Sequence, residues 1–125
     1  MKKLISLANG LLLFSGVFAQ ASVSQTIEKQ SKALLPKVIE WRRHIHQNPE
    51  LGNREFKTME YIVAHCKKLG LEVQQNVGKT GVVAILRGGK PGPVVALRAD
   101  MDGLPVKERV ELPFKSTVVA EYNGQ

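Results

Sequence analysis

Cysteine is nearly absent from this sequence, which contains only Cys66. A chain with one cysteine forms no internal disulfide, and the neighbours of Cys66 provide no ligand cluster. We therefore expect a buried helix thiol, with a reactive or intermolecular thiol as the alternative. Aromatic residues are also few, at 6% of the chain. Although the formal net charge is +7, no run of Lys and Arg carries interleaved aromatics. The basic balance therefore indicates a solvated surface, with no nucleic-acid partner.

A long apolar run is missing as well. Leu11–Phe18 is the most apolar stretch, and it is shorter than the about 20 residues that a membrane-spanning helix needs. It follows the basic Met1–Lys3 and precedes the small-residue cleavage pattern Ala19-Gln20-Ala21. These features predict a signal peptide over residues 1–21, cleaved near Ala21. We expect export to the periplasm or exterior, and no stable membrane anchor after cleavage.

The first helix of the folded part is predicted from the apolar spacing around a proline. Pro36 suits the first turn of a helix, so we expect a helix from Pro36 to about Gln47, preceded by a helical arm or a kink. Val38, Trp41 and Ile45 recur at helical spacing and predict its buried stripe. His44 and His46 are two positions apart, so they face nearly opposite sides of a regular helix and cannot chelate one metal.

A second helix is predicted over about Arg54 to Leu69, where apolar residues recur at helical spacing. Asn53 or Gly52 is expected as its N-cap, because asparagine is favoured there. Gly70 is expected just after the last turn, where glycine adopts the left-handed conformation that ends many helices.

Strand patterns follow the second helix. Leu71–Val77 and Val82–Leu86 are predicted strands joined by a Gly-rich turn. A third strand is predicted from Val94, and the short link over residues 87–93 makes it an antiparallel neighbour of the second. With 43% hydrophobic and 23% charged residues, the composition is globular. The expected fold class is α/β, with two helices followed by a mostly antiparallel set of strands.

An acidic pair lies at the end of the third predicted strand. Since side chains alternate along a strand, Arg98, Asp100 and Asp102 are expected on one face. Three interpretations fit this pattern: a metal-dependent hydrolase, a haloacid-dehalogenase-type phosphotransferase that uses Asp100 as nucleophile, or an ion pair with a purely structural role. The phosphotransferase is disfavoured, because Arg98 interrupts the apolar strand and Leu104-Pro105 follows the acidic pair.

Three sequence blocks, in this order, resemble one enzyme family. They are Trp41-Arg42-Arg43-His44-Ile45-His46-Gln47-Asn48-Pro49-Glu50-Leu51-Gly52, then Glu55-Phe56-Lys57-Thr58, then Leu97-Arg98-Ala99-Asp100-Met101-Asp102-Gly103-Leu104-Pro105. The family is that of the metal-dependent hippurate hydrolases, N-acyl-L-amino-acid amidohydrolases and auxin-conjugate hydrolases, within the zinc-peptidase superfamily. The resemblance covers about residues 36–125.

This resemblance implies a catalytic domain with a two-metal site and an inserted lid domain, which hydrolyses the amide bond of a small N-acyl amino acid. The implied cofactor is a divalent metal, zinc first, with manganese, cobalt or nickel as alternatives. In related peptidases a His-x-Asp stands at positions 100–102, so Asp102 is implied as the supporting catalytic carboxylate. Asp100 and Arg98 are implied as active-site support.

The resemblance also places the metal ligands and the glutamate base of the family beyond Gln125. We therefore expect residues 22–125 to be an N-terminal fragment of the catalytic domain, inactive and without bound metal on its own. The full-length protein could form homo-oligomers. The alternative is a non-catalytic remnant or interaction module.

Overall fold

The computed structural model describes residues 2–121 and 124, and for residues 2–22 it describes the backbone alone. The elements are α1 (Lys2–Gln47), α2 (Phe56–Lys68), β1 (Glu72–Val77) and β2 (Gly81–Ile85). The two strands form one antiparallel sheet. The predicted α/β class, with two helices followed by antiparallel strands, is confirmed. The chain divides into two compact units, Met1–Trp41 and Arg42–Gln125.

Helix α1 continues through Pro36, so the prediction that a helix begins there is wrong. The helical arm expected before the proline is present, and the two parts form one element. A proline inside a helix removes one backbone hydrogen bond, but starting a new helix is the costly step, and here helix extends on both sides. Exposed ion pairs flank the proline, Lys32 with Glu28 and Lys37 with Glu40, each at 2.7 Å. Such pairs add a little helix stability.

The end of α1 at Gln47 agrees with the prediction. The next residue, Asn48, donates its backbone N–H to the carbonyls of His44 and Ile45, each at 3.2 Å. Its side-chain amide also donates to the His44 carbonyl at 2.8 Å. These bonds satisfy helix-end carbonyls that would otherwise lack a partner. Of the predicted buried stripe, Trp41 and Ile45 are half-buried, whereas Val38 is exposed, contrary to the prediction.

Helix α2 provides the apolar core of the second unit. Met59 and Val63, one turn apart, are each only 6% exposed, and the helix packs against both strands. Cys66 lies on the same helix and is half-buried, less than predicted. In the described part of the chain, no helix is both long and apolar enough to cross a membrane.

The C-terminal end of α2 is formed as predicted. Gly70 has a φ of 74°, and its N–H donates to the Lys67 carbonyl at 3.0 Å, while Leu71 N–H donates to the Cys66 carbonyl at 3.2 Å. These are the two hydrogen bonds of a Schellman motif. The motif turns the chain directly into β1.

The hairpin matches its predicted bounds within one residue. Its register pairs Glu72 with Ile85 and Gln74 with Val83, and it becomes irregular before the turn. Arg87 forms a two-pronged ion pair with Glu72 across the open end, at 3.1 and 2.9 Å. This contact lowers the pKa of the Glu72 carboxyl.

The third predicted strand is not formed, since no strand lies within residues 94–97 of the described chain. Val94 and Leu97 are each 97% exposed. A strand needs a backbone partner and a surface against which to bury its apolar face. Within the described residues only Met59 and Val63 are buried apolar side chains, so this run has no core to cover. The predicted pairing with β2 is therefore wrong, and Arg98, Asp100 and Asp102 do not share the face of a strand.

Candidate functional site

The first and third sequence blocks meet in space. The N–H of Gly103 donates to the Glu50 carbonyl at 2.7 Å, and Leu51 and Gly103 form a parallel β-bridge. Glu50 lies in the loop between α1 and α2, and Gly103 follows the acidic pair. Residues about 50 positions apart are thus joined through the backbone, which places Asp102 beside the loop.

Glycine is required at position 103 by this close approach. A Cβ atom there would lie 2.8 Å from the Pro49 Cβ and 3.5 Å from the Glu50 carbonyl oxygen. On the other side of the contact, a Cβ at Gly52 would lie 3.7 Å from the Asp102 Oδ2. The absence of a side chain at Gly103 therefore lets the two segments touch, and one carboxylate oxygen of Asp102 lies at ordinary contact distance from the position of a Gly52 Cβ.

An open pocket of about 220 Å³ lies at this junction. Its lining residues come from both segments: Leu51, Gly52, Asp102, Gly103, Leu104 and Pro105. Sites for drug-sized ligands usually have volumes of about 300–1,000 Å³. This open pocket has room for one part of a small molecule, and the exposed Asp102 is among its lining residues.

Asp100 and Arg98 do not line the pocket. Arg98 Nη2 donates to Asp100 Oδ1 at 2.8 Å, and both side chains are exposed. This is the ion pair that the structural interpretation expected. Arg98 thus pairs with one oxygen, Oδ1, of the carboxylate that a phosphotransferase would use as its nucleophile. The predicted trio is therefore divided, with Asp102 alone at the pocket.

Glu50 caps the start of α2, a role that the spacing of residues in the sequence did not predict. Its carboxylate accepts hydrogen bonds from the Thr58 N–H at 2.7 Å, the Thr58 hydroxyl at 2.9 Å and the Lys57 N–H at 3.2 Å. It therefore satisfies free donors in the first turn of α2. The predicted caps Asn53 and Gly52 do not act this way, because the N-cap is Glu55, whose side chain makes no cap bond.

Glu55 is buried, with 7% of its surface exposed. The Thr80 hydroxyl donates to its Oε2 at 2.5 Å, and the Asn53 N–H donates to Oε1 at 3.0 Å. Burial alone would raise the pKa of this carboxyl. Hydrogen bonds outweigh this effect and lower the pKa of the Glu55 carboxyl. The donors are the Thr80 hydroxyl first, and then the backbone N–H groups of Glu55, Asn53 and Arg54. Glu55 thus joins α2 to the hairpin turn.

The two histidines of α1 have separate partners, as their spacing predicted. His44 stacks on Tyr61, with ring centroids 4.3 Å apart. His46 Nε2 lies 2.9 Å from Glu108 Oε1, and Glu108 Oε2 accepts the Ser116 N–H at 3.0 Å. The Ser116 bond first, and then the His46 bond, lower the pKa of the Glu108 carboxyl.

The described residues do not form a metal site by themselves. Across residues 23–121 and 124, no three His, Cys, Asp or Glu side chains converge on one point. A catalytic zinc takes three protein ligands, so these residues do not fit that group unaided. Residues 122, 123 and 125 lie outside the described part of the chain.

Comparison with known proteins gives three informative relatives. The IAA-amino acid hydrolase ILR1-like 2 of Arabidopsis thaliana is 39% identical over 135 aligned positions, which cover 99% of this chain and 30% of the relative. The hippurate hydrolase of Campylobacter jejuni is 47% identical over 75 residues, covering 60% and 20%. Thermostable carboxypeptidase 2 of Saccharolobus solfataricus is 51% identical over 82 residues, covering 65% and 21%.

These matches are partial and lie at the N-terminal side of the relatives. The chain spans less than a third of the length of each of these three proteins. No protein-family model matches the chain, and no solved structure matches it significantly.

Proposed function

We propose that this chain supplies one wall of an amide-hydrolysing site. The chain belongs to the amidohydrolase family of hippurate hydrolases and IAA-amino acid hydrolases, and it corresponds to the N-terminal portion of that family's proteins. The substrate class is a small N-acyl amino acid. One observation carries the proposal: the first and third of the three blocks that carry the resemblance meet at a pocket that Asp102 lines.

The side chains at the pocket have distinct proposed roles. An ionised carboxylate only accepts hydrogen bonds, so Asp102 would hold and orient a donor group that acts on the amide. Leu51, Leu104 and Pro105 would contact an apolar part of the substrate. Asp100 and Arg98 would shape the segment through their ion pair. The glutamate base that the family resemblance implies is not assigned to any residue of this chain.

A divalent metal, zinc first, is proposed for the longer protein only. The described residues bring no three ligands together, so no ligand is assigned here and no catalytic step is derived through a metal. Residues 22–125 alone are expected to be inactive and to bind no zinc tightly. An assay of hippurate hydrolysis with added zinc or manganese checks this, and turnover by those residues alone would contradict it.

A chimera tests the proposed function directly. The 75 aligned residues of the Campylobacter jejuni hippurate hydrolase would be replaced by those of this chain. We expect the chimera to hydrolyse hippurate, and we expect Asp102→Asn to lower kcat/KM by about 10- to 100-fold. Glu60→Gln, at an exposed position of α2, is the matched control.

The outcomes of the chimera separate the two functional hypotheses. The enzyme hypothesis is supported if the chimera folds and hydrolyses hippurate. It further requires that Asp102→Asn lowers this activity and that Glu60→Gln does not. A chimera with the circular dichroism and oligomeric state of the parent but no turnover favours a non-catalytic remnant or interaction module.

Export is also proposed, from the signal-peptide pattern at residues 1–21. The measurement is the N-terminal mass of the chain recovered from a secreting host. We expect a new N-terminus at Ser22, and we expect Ala21→Leu to block cleavage because the site requires small residues. An intact Met1 N-terminus on the exported wild-type chain would contradict the proposal.

A further inference from the structure

Glu50 is held at both its side chain and its backbone, and the two ends serve different parts of the molecule. Its carboxylate accepts three hydrogen bonds from Lys57 and Thr58 at the start of α2. Its carbonyl accepts the Gly103 N–H at 2.7 Å. One residue thus connects the N-terminus of α2 to the segment that carries Asp102.

The geometry makes this connection stiff. Three donors hold the Glu50 side chain against the start of α2, the helix that also carries the buried Thr58, Met59 and Val63. The Gly103 N–H belongs to the peptide unit directly after Asp102, so fixing that N–H limits the orientation of the Asp102 backbone. Contact between Gly103 and Pro49 leaves no space for a side chain, so Gly103 has little freedom to shift.

We propose that Glu50 is a positioning residue: it transmits the fixed position of α2 through the Gly103 hydrogen bond and so sets where the Asp102 carboxylate lies in the pocket. The inference deepens the proposed function and rests on it only for the catalytic importance of Asp102. The competing interpretation is that Glu50 caps α2 and nothing more. The two differ in what happens to Gly103 and Asp102 when the Glu50 side chain is changed.

The test is solution NMR on the complete 125-residue chain. The through-hydrogen-bond coupling between Gly103 nitrogen and the Glu50 carbonyl carbon reports the bond itself, and the Asp102 side-chain carboxyl shift reports the carboxylate. In Glu50→Ala we expect the coupling to vanish, Gly103 amide exchange to quicken at least about tenfold, and the Asp102 shift to move. Glu50→Gln keeps one acceptor oxygen and should restore part of each signal.

Glu60→Gln is the matched control, since Glu60 is an exposed glutamate on the same helix; it should change none of these signals. The proposal is overturned if Glu50→Ala exposes the amides of Lys57 and Thr58 to exchange while the Gly103 coupling and the Asp102 shift stay as in the wild type. That result would make Glu50 a helix cap alone.

Two further variants keep the test decisive if Glu50→Ala fails to fold. Thr58→Val removes one of the three donors and should quicken Gly103 exchange about fivefold; a folded variant with unchanged Gly103 exchange contradicts the proposal. Gly103→Ala should displace the Asp102 shift while the Lys57 and Thr58 amides stay protected. None of these NMR signals depends on turnover. A failed hydrolysis assay would therefore not contradict the role of Glu50, and a failed NMR test would not contradict the proposed hydrolysis.

Discussion

Acidic side chains of this chain differ mainly in their surroundings. Asp100 pairs with Arg98 in solvent, Glu50 accepts donors from a helix, and Glu55 is buried with Thr80. Among the described residues, Glu55 is the only acidic side chain that is buried. Burying a carboxylate is costly unless hydrogen bonds compensate, so the Glu55 contacts should have measurable effects.

Glu55→Ala should lower the free energy of unfolding by about 1–3 kcal/mol, because it leaves the buried Thr80 hydroxyl without its acceptor. Urea unfolding followed by circular dichroism measures the change. Glu60→Ala on the exposed face of α2 is the control and should stay within about 0.5 kcal/mol of the wild type. Equal effects of the two substitutions would show that the Glu55 contact does not stabilise the fold.

The lowered pKa of Glu55 predicts a pH dependence. A carboxyl whose pKa is lower in the folded state stabilises the fold above its ordinary value of 4.5, and this stabilisation is lost as the pH falls through the folded pKa. The stability difference between the wild type and Glu55→Gln should therefore be largest at neutral pH and shrink below about pH 4.5. Unfolding at a series of pH values checks this, and a difference that grows in acid would contradict it.

Among the helices and strands, α2 shows that the two ends of one helix can depend on residues at different distances along the chain. The C-terminal end is local, because Gly70 follows the last turn directly and adopts the left-handed conformation. The N-terminal end relies on Glu50, six residues before the helix begins, and on a loop shape with Asn53 at a φ of 62°. Spacing rules for caps consider neighbouring positions, so they predicted the first end and missed the second.

Gly70→Ala should destabilise the chain by about 1 kcal/mol, because a Cβ is unfavourable at a φ of 74°. Gly89→Ala is the matched control: its φ is not positive, and a Cβ there meets nothing within 4 Å. We expect that change to be neutral or slightly stabilising. Thermal unfolding of the two variants measures the contrast, and similar midpoints would argue against the Schellman motif at Gly70.

At the scale of the whole molecule, apolar surface remains uncovered. Val94, Val95 and Leu97 are all more than 80% exposed, and Leu86 at the end of the hairpin is 81% exposed. Exposed apolar patches mark surfaces that bind partners or aggregate. Within the described residues, the side chains of Val94, Val95 and Leu97 are not buried in a core, although the sequence of residues 94–97 is typical of a buried strand.

Val95→Asp distinguishes the observed arrangement from the strand expected from sequence. If residue 95 is exposed, the substitution should change the free energy of unfolding by less than about 0.5 kcal/mol and should improve solubility. Met59→Ala, in the core, should cost about 2–5 kcal/mol. Urea unfolding and the concentration at which each variant precipitates are the measurements. A cost for Val95→Asp near that of Met59→Ala would mean that the strand forms.

Several elements of this chain could be predicted because they depend only on neighbouring residues. The end of α1 at Gln47, the extent of α2 with Gly70 after it, and the hairpin over residues 72–85 all follow from local spacing and turn chemistry. The family resemblance could also be identified from the residues, because it depends on their order. These features need no knowledge of distant contacts.

Contacts between distant segments, by contrast, could be seen only in the folded chain. The Glu50 to Gly103 bond placed Asp102 at a pocket, while Arg98 and Asp100 paired with each other in solvent. Alternation along a strand had grouped these three side chains, but alternation holds only where a strand has a partner and a core to cover. Residues 94–97 find neither in the described chain. The position of Asp102 therefore results from long-range contacts that spacing along the chain does not encode.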